Sequence, residues 1–457
     1  MAWPMVISFT FRFLFQLVDL IYAGYLGTEE VAAIGFYAQF NVLVIAVWVG
    51  LSAGFTSALS AAFGNRDEAR IQALKRSMMK ILFVIIPTLS LAGSGIWLIA
   101  PVFPLEEAVI RPFRLYATTL LVGMPLTGFW AIYHDSIVKA HHDTRSTMFA
   151  GLIASITNVT LNTLFMFVFE WGVFGIALAT VLSRLTSLWY ASYRSRTLER
   201  QRLDRQRLER VEEPTDSEPS TPTRVSTRAP VPLILSLALP AAITFILSSG
   251  ENSLINWLLT QTPNSTVSIA AFAVFNQLLM LSLMPTIASS VAVLPYLARN
   301  VPAGFHLAVR RDLLRTLLGA ATFGVLVTIG LGWLGGESVA RYFLARHEGS
   351  VEELLPTTLA VLRLLPLGVV VSATFLLLRP VFEALHLPRL GVWVAVCRYL
   401  IFSFPLVGGG YLAAPALGID PTRGMIFGLC AASAAASILS ATLARRSLRE
   451  AERASTP

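Results

Sequence analysis

The chain has 457 residues, of which 55% are hydrophobic and only 14% charged, and it carries a formal net charge of +8. A soluble protein of this length covers its surface with about a quarter charged residues, so a water-soluble globular protein is excluded. Apolar runs of about 20 residues recur instead, the length that crosses ~30 Å of hydrocarbon as a helix. In lipid each backbone donor and acceptor must be paired within its own segment, so these runs are expected to be helical.

Twelve spans are predicted, at 2–24, 31–62, 78–100, 114–138, 146–169, 172–193, 232–259, 265–298, 311–335, 355–385, 389–413 and 421–444. No cleavable leader is expected, because the chain starts almost directly in the first apolar run, with Arg12 inside that run rather than before it. The first span also holds Asp19. A charge at a bilayer centre costs at least ~2.5–3.5 kcal/mol, so an intramembrane acid is a candidate functional group. Asp19 is the leading candidate for proton or cation coupling. Arg12 lies seven residues earlier, two turns away on the same face, and an Arg12–Asp19 ion pair is the structural alternative.

In the second span Gly50-Leu51-Ser52-Ala53-Gly54 fits both G-x-S-x-G and G-x-x-x-G. A nucleophile elbow needs a strand-to-helix turn, whereas this segment is a continuous apolar helix, so close helix packing is expected. The fourth span begins with Tyr116, the fifth carries Asn158 and Asn162 one turn apart, and the sixth carries Thr180. Taken alone, these polar groups read as hydrogen-bonding glue between membrane helices. A charged helical extension follows, and then a flexible stretch rich in Pro, Ser and Thr. Glu251 in the seventh span is a second buried acid and a candidate second-half cation site. Arg379 and Glu383 in the tenth span are spaced to pair with each other. Cys397 and Cys430, in the last two spans, read as small buried hydrophobes rather than a disulfide or a metal pair.

The two halves repeat one design. Ala32-Ala33-Ile34-Gly35-Phe36-Tyr37-Ala38-Gln39 parallels Ala270-Ala271-Phe272-Ala273-Val274-Phe275-Asn276-Gln277, and Ala140-His141-His142-Asp143-Thr144-Arg145 parallels Ala384-Leu385-His386-Leu387-Pro388-Arg389. The predicted architecture is therefore an all-α polytopic membrane protein of about twelve helices in two parallel-repeat six-helix bundles. Residues 1–193 form the first bundle, 194–231 a cytoplasmic arginine-rich linker, 232–445 the second bundle and 446–457 a cytoplasmic tail. Parallel repeats place substrate sites near the midplane between them, where the paired Gln39 and Gln277 are candidates to line a cavity. Basic residues gather at 65–80, in the linker, around 299–315 and after 444, and the intervening loops are poor in them, with none in Gly24–Glu30, Glu170–Gly172 or Gln261–Ser268. This positive-inside alternation puts both termini in the cytoplasm of a cell (inner) membrane and assigns the charge to topology, not to nucleic acid.

Val18-Asp19-Leu20-Ile21-Tyr22-Ala23-Gly24, Asn65-Arg66-Asp67-Glu68-Ala69, Asn158-Val159-Thr160-Leu161-Asn162 and Gly172-Val173-Phe174-Gly175-Ile176-Ala177 resemble segments of the multidrug and toxic compound extrusion (MATE) transporters. In the prokaryotic branch with a first-helix aspartate, that acid works in an N-terminal cavity with polar groups of the fifth and sixth helices. The resemblance implies this role for Asp19, Asn158 and Thr180, with Tyr116 beside them. Asn162 departs from the pattern, since many relatives carry an aspartate there. Glu251 is similar to the seventh-helix acid of other branches.

No Gly-x-x-x-x-Gly-Lys-[Ser/Thr] occurs, so energy from an internal ATPase is not expected. The expectation is a monomeric secondary antiporter, not an enzyme. It would export amphipathic or cationic organic compounds in exchange for H+ or Na+, with no further cofactor. A flippase for lipid-linked saccharide precursors is the alternative within the same superfamily.

Overall fold

A computed structural model describes residues 22, 26–103, 105–212, 229–262, 265–301, 305–344 and 351–455. Within them every regular element is helical, and eleven helices are long and apolar enough to cross a membrane. The span expected at 2–24 lies outside the described residues except for Tyr22.

In the first half, α1 (Thr28–Gly64) and α2 (Glu68–Ile99) form the second and third spans. The fourth begins as α3 (Glu107–Met124), opens into a π-helical turn at Pro125–Phe129 and closes as α4 (Trp130–Ala140). Pro125 has no N–H to give to the ladder, so the turn widens at that point. The fifth span is α5 (Thr144–Thr163), extended by a π-helical turn at Leu164–Val168. The sixth, α6 (Gly172–Glu212), continues unbroken through the charged stretch that follows its apolar part.

The second half comprises α7 (Pro230–Thr260), α8 (Ser265–Asn300), α9 (His306–Thr328) with a π-helical end at Ile329–Leu334, and α10 (Gly336–Leu344). It continues with α11 (Val351–Leu362), α12 (Leu365–Ala384), α13 (Pro388–Val396) running through a π-helical turn at Cys397–Phe402 into α14 (Ser403–Ala413), and α15 (Pro421–Ser455). The tenth span, expected as one helix over 355–385, is instead divided between α11 and α12. Pro366 sits in the first turn of α12, where its ring disfavours a helical residue before it and removes a donor, so a new helix starts there.

The chain packs into two compact units, one of residues 3–242 with 298–303 and the other of 243–297 with 304–457. The first is built around Phe55, Leu74, Phe113 and Phe129, with Leu233 to Ala238 of α7 closing its core. The second is built around Phe275, Leu279, Val369 and Cys430. Both cysteines are free and buried, as expected of small hydrophobes.

Gly50 and Gly54 have the packing role expected of them. A Cβ on Gly54 would lie 2.5 Å from the Ile234 carbonyl oxygen, and one on Gly50 would lie 2.8 Å from that of Ala238. The α1 and α7 backbones meet across this seam because no side chain separates them.

The internal repeat also appears in the backbone. The fourth span ends with His142 N–H donating to the Lys139 carbonyl and Asp143 N–H to that of Val138, with His142 in the left-handed region at φ 61. The tenth ends with His386 N–H donating to Glu383 and Leu387 N–H to Phe382, with His386 at φ 58. These are the two reciprocal bonds of a Schellman cap, placed at the residues that the sequence repeat aligns.

On the arginine-rich side, charged groups fasten the α6 extension to the first unit. Glu199 bonds Lys75, accepts from Arg202 at 3.2 Å and shares a 2.9 Å hydrogen bond with His141 Nε2. Arg202 reaches on to Glu68 at 2.6 Å. Asp143 caps α5 by accepting from Ser146 N–H at 3.1 Å and also receives Arg194 Nε at 2.7 Å. Burial raises the Asp143 carboxyl, but the Ser146 and Arg194 bonds outweigh it and hold the group below the usual carboxylate range. Burial, with Arg299 and His141 nearby, holds neighbouring His142 down to about 4.

Candidate functional site

Asn158 and Asn162 lie one turn apart on α5, so both amides share the face that meets α6. Both are buried. An apolar setting leaves an amide no water to pair with, so the two helices must satisfy it. Asn158 Nδ2 donates to Thr180 Oγ1 at 3.2 Å, and Asn162 Nδ2 donates to Asn158 Oδ1 at 3.4 Å. Thr180 Oγ1 passes its own proton back to the Ile176 carbonyl at 3.1 Å. The result is a short polar chain between two membrane helices, made of the three residues that the sequence singled out there.

Asp19 and Arg12 lie outside the described residues. Tyr22, three positions after Asp19, is described. Its hydroxyl shares a 2.7 Å hydrogen bond with Thr163 Oγ1, and its ring meets Phe167 with centroids 6.0 Å apart. This end of the first span therefore meets α5 at the residue that follows Asn162. Tyr116 is buried on α3 and stands edge-on to Tyr37 of α1, with centroids 5.1 Å apart, while the Tyr37 hydroxyl donates to Asn41 Oδ1 at 3.3 Å. Gln39 is exposed on α1 and Gln277 is half-buried on α8.

Chemically, the α5–α6 chain offers neutral oxygens and amide donors. Such groups can coordinate a small cation or orient a proton, but they hold no charge of their own. A nearby carboxylate must supply it.

The second half is organised differently. Glu251 of α7 is buried, and Arg398 grips it, with Nη1 donating to Oε1 at 2.6 Å and Nη2 to Oε2 at 3.5 Å. Ser403 donates to the same carboxylate. Arg398 sits in the π-helical turn between α13 and α14 and is itself buried. It is absent from the candidates named above, although an arginine inside a predicted span is a signal by the same argument that selects the acids. Arg379 and Glu383 pair at 2.9 Å as their spacing implied. The two glutamates predicted in the seventh and tenth spans thus each hold an arginine.

A sequence profile of the MatE family matches residues 4–164 and 240–407, more than half of the chain and one segment in each half. The chain belongs to the MatE family. Among its relatives, a FAD transporter of Shewanella oneidensis is 26% identical over 431 residues, covering 91% of this chain and 86% of its own. A probable multidrug resistance protein of Bacillus subtilis, YoeA, is 25% identical over 311 residues, 66% of this chain and 63% of its own. Among solved structures, a MATE-family transporter of the MOP superfamily in an outward-facing conformation superposes with a TM-score of 0.84 at 19% identity, covering 99% of this chain and 95% of that one. A MOP-superfamily transporter from Pyrococcus furiosus does so at 0.83, with the same identity and coverage. At that identity the likeness is one of fold. A MatE chain with this fold is a multi-pass membrane protein, as its composition implied, and of the transporter class, as the resemblance implied.

Proposed function

We propose that this MatE-family chain is a secondary antiporter that exports amphipathic or cationic organic compounds against a proton or sodium gradient by alternating access. The observation that carries the reading is the Asn162–Asn158–Thr180 chain, with Tyr22 of the first span bonded one residue beyond it. Asp19 supplies the charge that this neutral chain lacks, and binding a proton or cation there alters the first helix and releases substrate. Multidrug resistance proteins among the relatives support the substrate class. The positive-inside pattern supports a cell (inner) membrane with both termini in the cytoplasm, and the protein acts as a monomer with H+ or Na+ as coupling ion. Coupling resides in the first half, because the Arg398 guanidinium already answers the Glu251 charge.

Uptake of a fluorescent organic cation into inverted vesicles tests this reading. Uptake should follow the imposed ion gradient, and Asp19→Asn should reduce it to background with expression intact. Undiminished uptake by that variant would remove Asp19 from the mechanism. Replacing sodium with choline at fixed pH identifies the coupling ion.

A second reading has one specific support. The FAD transporter of Shewanella oneidensis matches this chain across most of both lengths, so an anionic flavin dinucleotide is a substrate to be run in the same vesicles. Uptake of the flavin but not of the organic cation would favour it.

A further inference from the structure

The outer face of α6 carries a groove at the end of the membrane where the arginine-rich extension begins. Its volume is about 620 Å³, and it is lined by Trp130, Leu188, Trp189, Tyr193, Arg196 and Arg200, among others. Positions 189, 193, 196 and 200 follow each other at helical spacings of four, three and four, so they form one stripe. From Trp189 to Arg200 that stripe climbs about 16 Å along the axis. Apolar surface at Leu185 and Leu188 comes first, then the exposed rings of Trp189 and Tyr193, then two exposed guanidiniums. Hydrocarbon, aromatic belt and cationic headgroup zone succeed one another in the order that a phospholipid presents acyl chain, glycerol and phosphate.

The arginines of this one helix differ by face. Arg194 and Arg202 turn inward and are paired, with Asp143 and with Glu68 and Glu199. Arg196 and Arg200 have no carboxylate within ion-pair distance among the described residues, and both border the groove. The groove wall is fixed: His134 Nδ1 and Ser195 Oγ share a 2.8 Å hydrogen bond behind it, and Trp130 is held edge-on by Phe83, with centroids 5.2 Å apart.

We infer that this groove binds an anionic phospholipid of the adjacent leaflet, its phosphate between Arg196 and Arg200 and its upper acyl chains against Trp189 and Leu188. Two unpaired guanidiniums offer forked donors that match phosphate oxygens, and the aromatic wall below accepts the glycerol and first methylenes. The site is separate from the α5–α6 polar chain and does not depend on what is transported.

Native mass spectrometry of the purified full-length protein, with phosphatidylglycerol or phosphatidylcholine added to the micelle, tests the assignment. The wild type should retain phosphatidylglycerol in preference to phosphatidylcholine. The R196Q/R200Q variant should lose that preference by about 30-fold, the equivalent of ~2 kcal/mol for two surface arginines. R445Q/R449Q, which removes two exposed arginines of α15, should keep it. Unchanged retention in R196Q/R200Q would overturn the assignment, as would an equal loss in R445Q/R449Q, which would mean diffuse attraction. Displacement of phosphatidylglycerol by an equal concentration of inorganic phosphate would also overturn it, in favour of a free-phosphate site.

Discussion

A guanidinium inside a membrane span is tolerated when its charge is answered, and Arg398 is answered by Glu251 through both terminal nitrogens. Removing one partner leaves the other buried and uncompensated, at a cost of about 3–5 kcal/mol. Arg398→Met should therefore melt well below the wild type in detergent, and E251Q/R398M should recover most of the loss. Equal losses in both variants would refute the pairing. At the other end of the chemistry, His142 is held neutral in a half-buried loop. Its folded pKa of about 4 lies below the ordinary ~6.5. The unfolded chain thus binds the extra proton first, and the stability that neutral His142 lends is complete above pH ~6.5 and lost as pH falls toward 4. His142→Asn keeps a residue that tolerates the left-handed backbone. It should flatten the melting temperature across that window, and an unchanged slope would exclude His142 as its source. At this scale Asn158 and Asn162 were legible from spacing, because i,i+4 amides in an apolar helix must find partners on the next one, and the family resemblance joined Thr180 to them. The pairing of Arg398 with Glu251 was not, because the two lie 147 positions apart.

Between elements, the α1–α7 seam is set by what is missing. A methyl on Gly54 meets backbone at 2.5 Å, whereas one on Gly95 of α2 meets nothing within 4 Å. The same Gly→Ala change should accordingly have opposite signs at the two sites. Gly54→Ala should lose ~1–3 kcal/mol by overpacking, and Gly95→Ala should gain up to about 1 kcal/mol from helix propensity. Thermal melts of the two variants decide it, and parallel shifts would contradict the close approach. The apolar runs placed ten of the described spans on helices, since a helix through lipid must be about as long as the hydrocarbon is thick, but not the polar helical ends at 68–77, 194–212 and 445–455. They missed the division of the tenth span, because hydropathy stays high across Pro366 while the break comes from its ring and missing donor. They gave no sign of the four π-helical turns. Such turns depend on how neighbouring helices re-satisfy a displaced carbonyl, which no single-helix pattern records.

Across the whole chain, the repeat is visible twice, as aligned sequence and as matched Schellman caps at His142 and His386. Its chemistry is unequal. The first half holds a chain of neutral polar groups beside the end of the span that contains Asp19, while the second answers its buried acids with its own arginines. The cause of that asymmetry, the capture of Glu251 by Arg398, needed the folded chain. If the halves divide the work in this way, charge can be removed from the second without uncoupling transport, and not from the first. The direct test compares Asp19→Asn with E251Q/R398M in proteoliposomes, measuring uptake of a fluorescent organic cation under an imposed ion gradient. Asp19→Asn should fall to background while the double variant retains gradient-driven uptake. Retained uptake in Asp19→Asn together with its loss in E251Q/R398M would place coupling in the second half and contradict that division.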